Sequence, residues 1–293
     1  IDAYKAIYYL LKAADQHNSE AQFYLGKIYF TPECKVFDIK KAIYYMELAA
    51  EQNHTDAQNF LGALYMDDKF GKHDIEKAIN YLTISADNNC AIAQKNLGFI
   101  YLNKKYEDYD IQKAVHYLLL AAKNGIPDAQ GALGVIYLQG LDVPQDIHKA
   151  LEYLHLSAEN RYRLSQQILG DLYFEGRVVG RNVSKSIYYY KEALITNNER
   201  IKNNLAVIYK NGFGGIKKNV ELAKIYLEEA IQQKKCAVSM FNLAKIYYFE
   251  EEEKGIKMHN KSIQLLIMSA NSKLDLSITF LFMLLLKRFK VIN

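Results

Sequence analysis

Apolar side chains along this chain fall at helical spacing, and the pattern recurs, usually at a step of 36 residues. In the clearest copy, Ala129–Ala158, the residues Ala129, Leu133 and Tyr137 stand at i, i+4 and i+8, on one face of a helix. A short turn follows, and a second apolar set at helical spacing begins after it. The first half reads A-Q-x-x-L-G-x-x-Y. It starts at Ala21, Ala57, Ala93 and Ala129 and degrades at Ser165, Ile201, Ser239 and Ser277. The second half reads K-A-(I/V/L)-x-Y-(L/M)-x-x-(A/S)-A. It starts at Lys41, Lys77, Lys113 and Lys149, with weaker copies from Lys185, Glu221 and Lys261 and a partial copy at Lys5–Ala14. Glycine inside a helix costs roughly 1 kcal/mol against alanine. Its return at one register (Gly26, Gly62, Gly98, Gly134, Gly170) predicts close backbone approach between packed helices.

Polar residues punctuate the pattern. Asp38, Asp74, Asp110, Asp146, Asn182 and Asn219 each precede a second helix by a fixed step, where a side-chain oxygen accepts an orphan backbone N–H. Met258 takes that place in the last repeat and predicts a less sharp start. Ser19 with Gln22, and Thr55 with Gln58, read as capping boxes for first helices. The predicted organisation is one array over residues 1–293. It has a half repeat at 1–14, seven two-helix units between about 19 and 270, and a C-terminal half repeat at 274–290. The loops near Gly212–Lys218 and Glu250–Lys257 are lengthened.

The L-G-x-x-Y run, the turn glycines Gly140, Gly176 and Gly212, and the K-A…A-A run resemble the Sel-1-like repeat (SLR) family, a relative of the tetratricopeptide repeats. The resemblance covers nearly the whole chain. This chain departs from the family in having no Trp and in lacking the turn Gly in its first three and last repeats. The resemblance implies an all-α fold, a right-handed α/α superhelical solenoid of stacked helix-turn-helix repeats.

Net charge is 37 − 33 = +4, too mild to imply nucleic acid or an acidic membrane as partner. The largely apolar stretch Ile278–Leu286 is far shorter than the ~20 residues of a membrane span. Cys34, Cys90 and Cys236 are odd in number and lack a repeating pair, which points to a reducing, cytoplasmic setting. Ile1 opens the chain inside a repeat without Met, so it reads as a fragment and a missing leader says little.

No cofactor or catalytic constellation is legible. His148, Glu152 and His155 share a helix face, yet their positions vary freely between repeats, which favours a solvated surface over a metal. Gly212–Gly215, followed by Lys217 and Lys218, lacks the preceding strand and the G-K-(S/T) ending of a phosphate loop. Glu250–Glu253 reads as an acidic loop.

By resemblance to related helical repeats, first helices line a concave surface. Variable positions there are the binding candidates. Two residues before the repeat Leu these include Phe23, Asn59, Lys95, Gln167, Asn203 and Phe241. Two after it they include Lys27, Phe99, Asp171 and Lys245. The expected function is a non-enzymatic scaffold or adaptor holding a protein or extended peptide. Two rivals are an accessory arm of a larger enzyme or degradation complex, and a secreted hydrolase-like repeat protein, against which the unpaired cysteines argue.

Overall fold

The computed structural model describes residues 3–33, 36–68, 73–140, 142–194, 198–233, 236–253, 260–272 and 276–281. The chain divides into two compact units, Ile1–Asn160 and Arg161–Asn293. In the first, α1 (Ala3–Ala14) precedes four hairpins: α2 (Ser19–Phe30) with α3 (Ile39–Glu51), α4 (Thr55–Met66) with α5 (Ile75–Asp87), α6 (Ala91–Leu102) with α7 (Ile111–Lys123), and α8 (Pro127–Gln139) with α9 (Ile147–Glu159). The second holds α10 (Arg163–Glu175) with α11 (Val183–Ala193), α12 (Glu199–Asn211) with α13 (Val220–Gln233), and α14 (Ala237–Glu253) with α15 (Asn260–Asn271). Residues 276–281 are helical. Each helix pair lies within a residue or a few of its predicted span. Met258 and most of the expected half repeat at 274–290 lie outside the described residues.

The five hairpins from α2–α3 to α10–α11 each close on the repeat glycine. A Cβ on Gly62 would sit 2.4 Å from Leu82 Cγ, and one on Gly98 would sit 2.6 Å from Leu118 Cγ. Met46, Leu82, Leu118 and Leu154 therefore rest directly on first-helix backbone and are fully buried. Burying each such side chain contributes roughly 1.5–3 kcal/mol. Above this contact the repeat tyrosines stack across the hairpin. Tyr65 lies 6.0 Å from Tyr81, and Tyr101 lies 5.9 Å from Tyr117. The K-A lysine caps the stack: Lys77 Nζ is 5.5 Å above Tyr65 and Lys113 Nζ 5.2 Å above Tyr101. The turn is tied at the same place, because the Asp74 and Asp110 N–H groups donate to the Tyr65 and Tyr101 carbonyls at 2.9 Å. Their carboxylates cap α5 and α7 as expected.

The expected capping boxes do not form. The N-caps of α2 and α4 are Asn18 and His54, whose side chains accept from the Ala21 and Ala57 N–H groups. Ser19 and Thr55 are already helical, and the glutamines are buried instead. Gln22, Gln58, Gln94 and Gln130 each donate through Nε2 to the carbonyl eight residues back, Ala14, Ala50, Ala86 and Ala122, at 3.2–3.3 Å. Each carbonyl belongs to the last turn of the preceding repeat, where helices leave C=O groups unsatisfied. The A-Q pair therefore joins successive hairpins. Three of these second helices end in a left-handed non-glycine residue: His17 after α1, Asn53 after α3 and Asn89 after α5. Gly125 takes this place after α7. The acidic run Glu250–Glu253 is also a correction, since it forms the end of α14 rather than a loop.

Two outcomes test this account. Gly62→Val should destabilise the chain by about 3 kcal/mol in urea unfolding, because the added carbons overlap Leu82. An unchanged midpoint would contradict the close approach. His17→Gly, relieving a left-handed residue with a Cβ, should stabilise it by about 1 kcal/mol.

Candidate binding face

Within the first unit α4 packs directly on α6, and α6 on α8. Second helices reach the next repeat chiefly through its first helix: α3 packs on α4, α5 on α6 and α7 on α8. First helices are thus the closer-spaced row, which is the inner side of a bend in a repeat stack. In the second unit α12 packs on α14 in the same way.

The ten sequence-selected residues separate into two rows with different work. The row two before the repeat Leu is largely occupied with the next repeat. The Phe23 ring stacks on His54, the cap of α4, with centroids 4.6 Å apart. Lys95 Nζ lies 3.4 Å from Asp128 in the first turn of α8. Gln167 accepts from Asn198 Nδ2 at 2.8 Å. Asn203 is buried, donating to Ser239 Oγ at 2.6 Å and accepting from Asn242 Nδ2 at 3.2 Å. Phe241 meets Phe280 edge-on at 5.9 Å. Asn59 is half-buried, and its Oδ1 has no hydrogen-bond partner among the described residues.

The row two after the Leu is more open. Lys27 and Ala63 are exposed, and Phe99 and Val135 are half-exposed on the neighbouring helices α6 and α8. Lys27 Nζ stands 5.4 Å above the Phe23 ring, and Lys245 Nζ 5.5 Å above the Phe241 ring. Asp171 is the exception in this row. Its carboxylate accepts from the Tyr190 hydroxyl at 2.7 Å and from Asn204 Nδ2 at 3.2 Å, and it pairs with Arg200. Tyr190 takes the place of the Met or Leu that other repeats press on glycine, here Gly170, and is fully buried. Burial pushes the Asp171 carboxyl above its usual range, against the lowering pull of the Tyr190 hydrogen bond and Arg200. Burial, together with Asp171, pushes the Tyr190 hydroxyl far above the ordinary phenol value.

Gly212–Gly215 is a turn between α12 and α13, with Phe213–Gly215 in a 3-10 helix and Gly212, Gly214 and Gly215 at positive φ. Among the described residues no three His, Cys, Asp or Glu are grouped to hold a metal, and no helix is long and apolar enough to cross a membrane. The sequence reading passed over Lys210, Asn211 and Asn242, which line a cavity with Lys245. A signal was present for Lys210: the same register carries Phe30, Met66, Leu102, Leu138, Phe174 and Tyr248.

Tyr190→Phe removes a hydrogen bond that favours the Asp171 carboxylate. The Asp171 pKa, followed by NMR, should move further up, and stability at neutral pH should fall by about 2 kcal/mol. A downward move would contradict the assigned network.

No curated protein matches the chain. It is similar to the crystal structure of a protective antigen present in uropathogenic Escherichia coli strains, which displays an SLR fold. The identity is 26% and the TM-score 0.85, over 94% of this chain and 58% of that one. The chain thus spans less than two thirds of that antigen. A Sel1 repeat protein from Oxalobacter formigenes is 24% identical with a TM-score of 0.70, over 95% of this chain and 79% of that one, a likeness of fold. Sel1 repeats match residues 2–18, 19–54, 55–90, 91–126, 127–162, 163–194, 202–235 and 237–273. With its fold and nearly its whole length accounted for by these repeats, the chain belongs to the Sel1 repeat family.

Proposed function

We propose that this chain is a non-enzymatic adaptor that holds an extended peptide or protein partner against its row of first helices. Sel1 repeat proteins generally mediate protein–protein interaction, which gives the reading its background. The observation that carries it is the open row two residues after the repeat Leu. Lys27, Ala63, Phe99 and Val135 differ from one repeat to the next while the helices that carry them stay fixed. A preordered surface of this kind spends little conformational entropy on binding. Half-exposed Phe99 is the natural anchor, since aromatic side chains tend to dominate binding energy. The row two before the Leu serves chiefly to keep these helices in register. Free thiols at Cys90 and Cys236 support a reducing, cytoplasmic setting as part of the proposal.

The test is selection from a random peptide library on the immobilised chain, followed by affinity measurements on variants. Phe99→Asp with Val135→Asp should weaken the selected peptides by about tenfold or more. Tyr44→Asp with Ile84→Asp, on exposed second-helix positions, should leave them unchanged. Equal affinity for the wild-type chain and the Phe99 and Val135 variant would refute the inner-row reading.

A further inference from the structure

The cavity between α12 and α14 is lined by a lysine at a register where the other repeats carry a large apolar or aromatic side chain. It measures about 230 Å³ and is lined by Lys210, Asn211, Asn242 and Lys245, with apolar walls from Leu227 and Ile246. Lys210 occupies the register of Phe30, Met66, Leu102, Leu138, Phe174 and Tyr248, large apolar or aromatic side chains that are half-buried or buried. Phe30, for example, packs edge-on against Phe60 at 4.8 Å. An ammonium put in such a slot loses hydration and calls for a counter-charge.

Among the described residues no carboxylate pairs with Lys210 or Lys245. The nearby acid Glu250 is held by Lys224 at 3.0 Å. The Lys210 ammonium lies 6.0 Å from the Phe249 ring and the Lys245 ammonium 5.5 Å from the Phe241 ring. Ring contacts of this kind leave ammonium N–H donors unspent. Burial lowers the Lys210 pKa, and the positive charges of Lys245 and Lys218 push it the same way. Asn211 donates to the Val207 carbonyl at 2.9 Å and Asn242 to Asn203 Oδ1 at 3.2 Å. Each amide carries a second N–H besides. Two cations and two amides therefore line one cavity that has space for several atoms and, among the described residues, no anion of its own.

We propose that this cavity receives the carboxylate of an acidic side chain on the bound partner. The inference rests on the inner-row reading above. Val207 and Lys245, which line the cavity, belong to the row two after the repeat Leu, so a side chain of a segment lying along that row enters here. Lys210 and Lys245 would each donate to the carboxylate oxygens, and the asparagines would fix its orientation.

The probes are fluorescein-labelled decaglutamate and decaglutamine, with inorganic phosphate and decathymidylate as competitors, all against the full chain. Lys210→Met with Lys245→Val installs residues that other repeats carry at these registers (Met66, and Val135 or Val207), so the fold should hold, as a melting curve checks. Lys40→Gln with Lys104→Gln removes the same net charge from the first unit, away from the row two after the repeat Leu. The expected result is decaglutamate binding that weakens by about tenfold in the cavity variant and by less than about twofold in the charge control. Decaglutamine should not bind. Equal loss in both variants, or no binding of decaglutamate, would overturn the proposal. So would displacement by phosphate at a concentration similar to that of decaglutamate, which marks a small-anion site. Tighter, lysine-dependent binding of decathymidylate would overturn it too and assign the cavity to nucleic acid. Library-selected peptides that need Phe99 and Val135 but ignore both lysines would sink this inference alone. Selected peptides indifferent to Phe99 and Val135 would sink the inner-row reading, whatever decaglutamate does.

Discussion

The five hairpins from α2–α3 to α10–α11 depend on one contact, a large second-helix side chain seated on bare first-helix backbone. Gly26, Gly62, Gly98 and Gly134 leave room for Met46, Leu82, Leu118 and Leu154, and Gly170 leaves room for Tyr190. The glycine lowers intrinsic helix stability, and the burial it permits more than offsets the loss. Once the helices are this close, the tyrosine stack and the turn hydrogen bond between the cap residue and the tyrosine carbonyl fall into place. The later repeats carry Ala206 and Ala244 at the glycine register, and both are buried.

A second constraint joins the hairpins. A buried glutamine reaches from each of the first helices α2, α4, α6 and α8 to a carbonyl at the end of the preceding repeat. Polar and aromatic pairs such as Phe23 with His54 and Lys95 with Asp128 extend the same junction. Holding first helices in fixed register leaves the neighbouring row free to vary without cost to the fold. In the proposed function, that division of labour between adjacent positions on one helix separates stability from recognition.

Much of this was legible in the sequence. The period, the helix spans, the glycine contact and the second-helix caps all follow from spacing and residue type, because each is a local or nearest-neighbour effect. Two of the buried glutamines, Gln22 and Gln58, were misread as parts of capping boxes. Their true partner lies eight residues back across a left-handed turn, and helical spacing does not reveal that return. The candidate face was read as one surface, although its two rows differ only by which side chains reach the next repeat. Phe23, Gln167 and Asn203 were therefore grouped with Phe99 and Lys27. Lys210 escaped notice because the search followed variable surface positions, and its register is apolar in the other repeats.

The measurement that tests the central claim most directly is hydrogen–deuterium exchange with and without a selected peptide. The account predicts added protection along α4, α6 and α8, with α5, α7 and α9 unchanged. Protection concentrated on the second helices, or confined to the inter-helix turns, would contradict it.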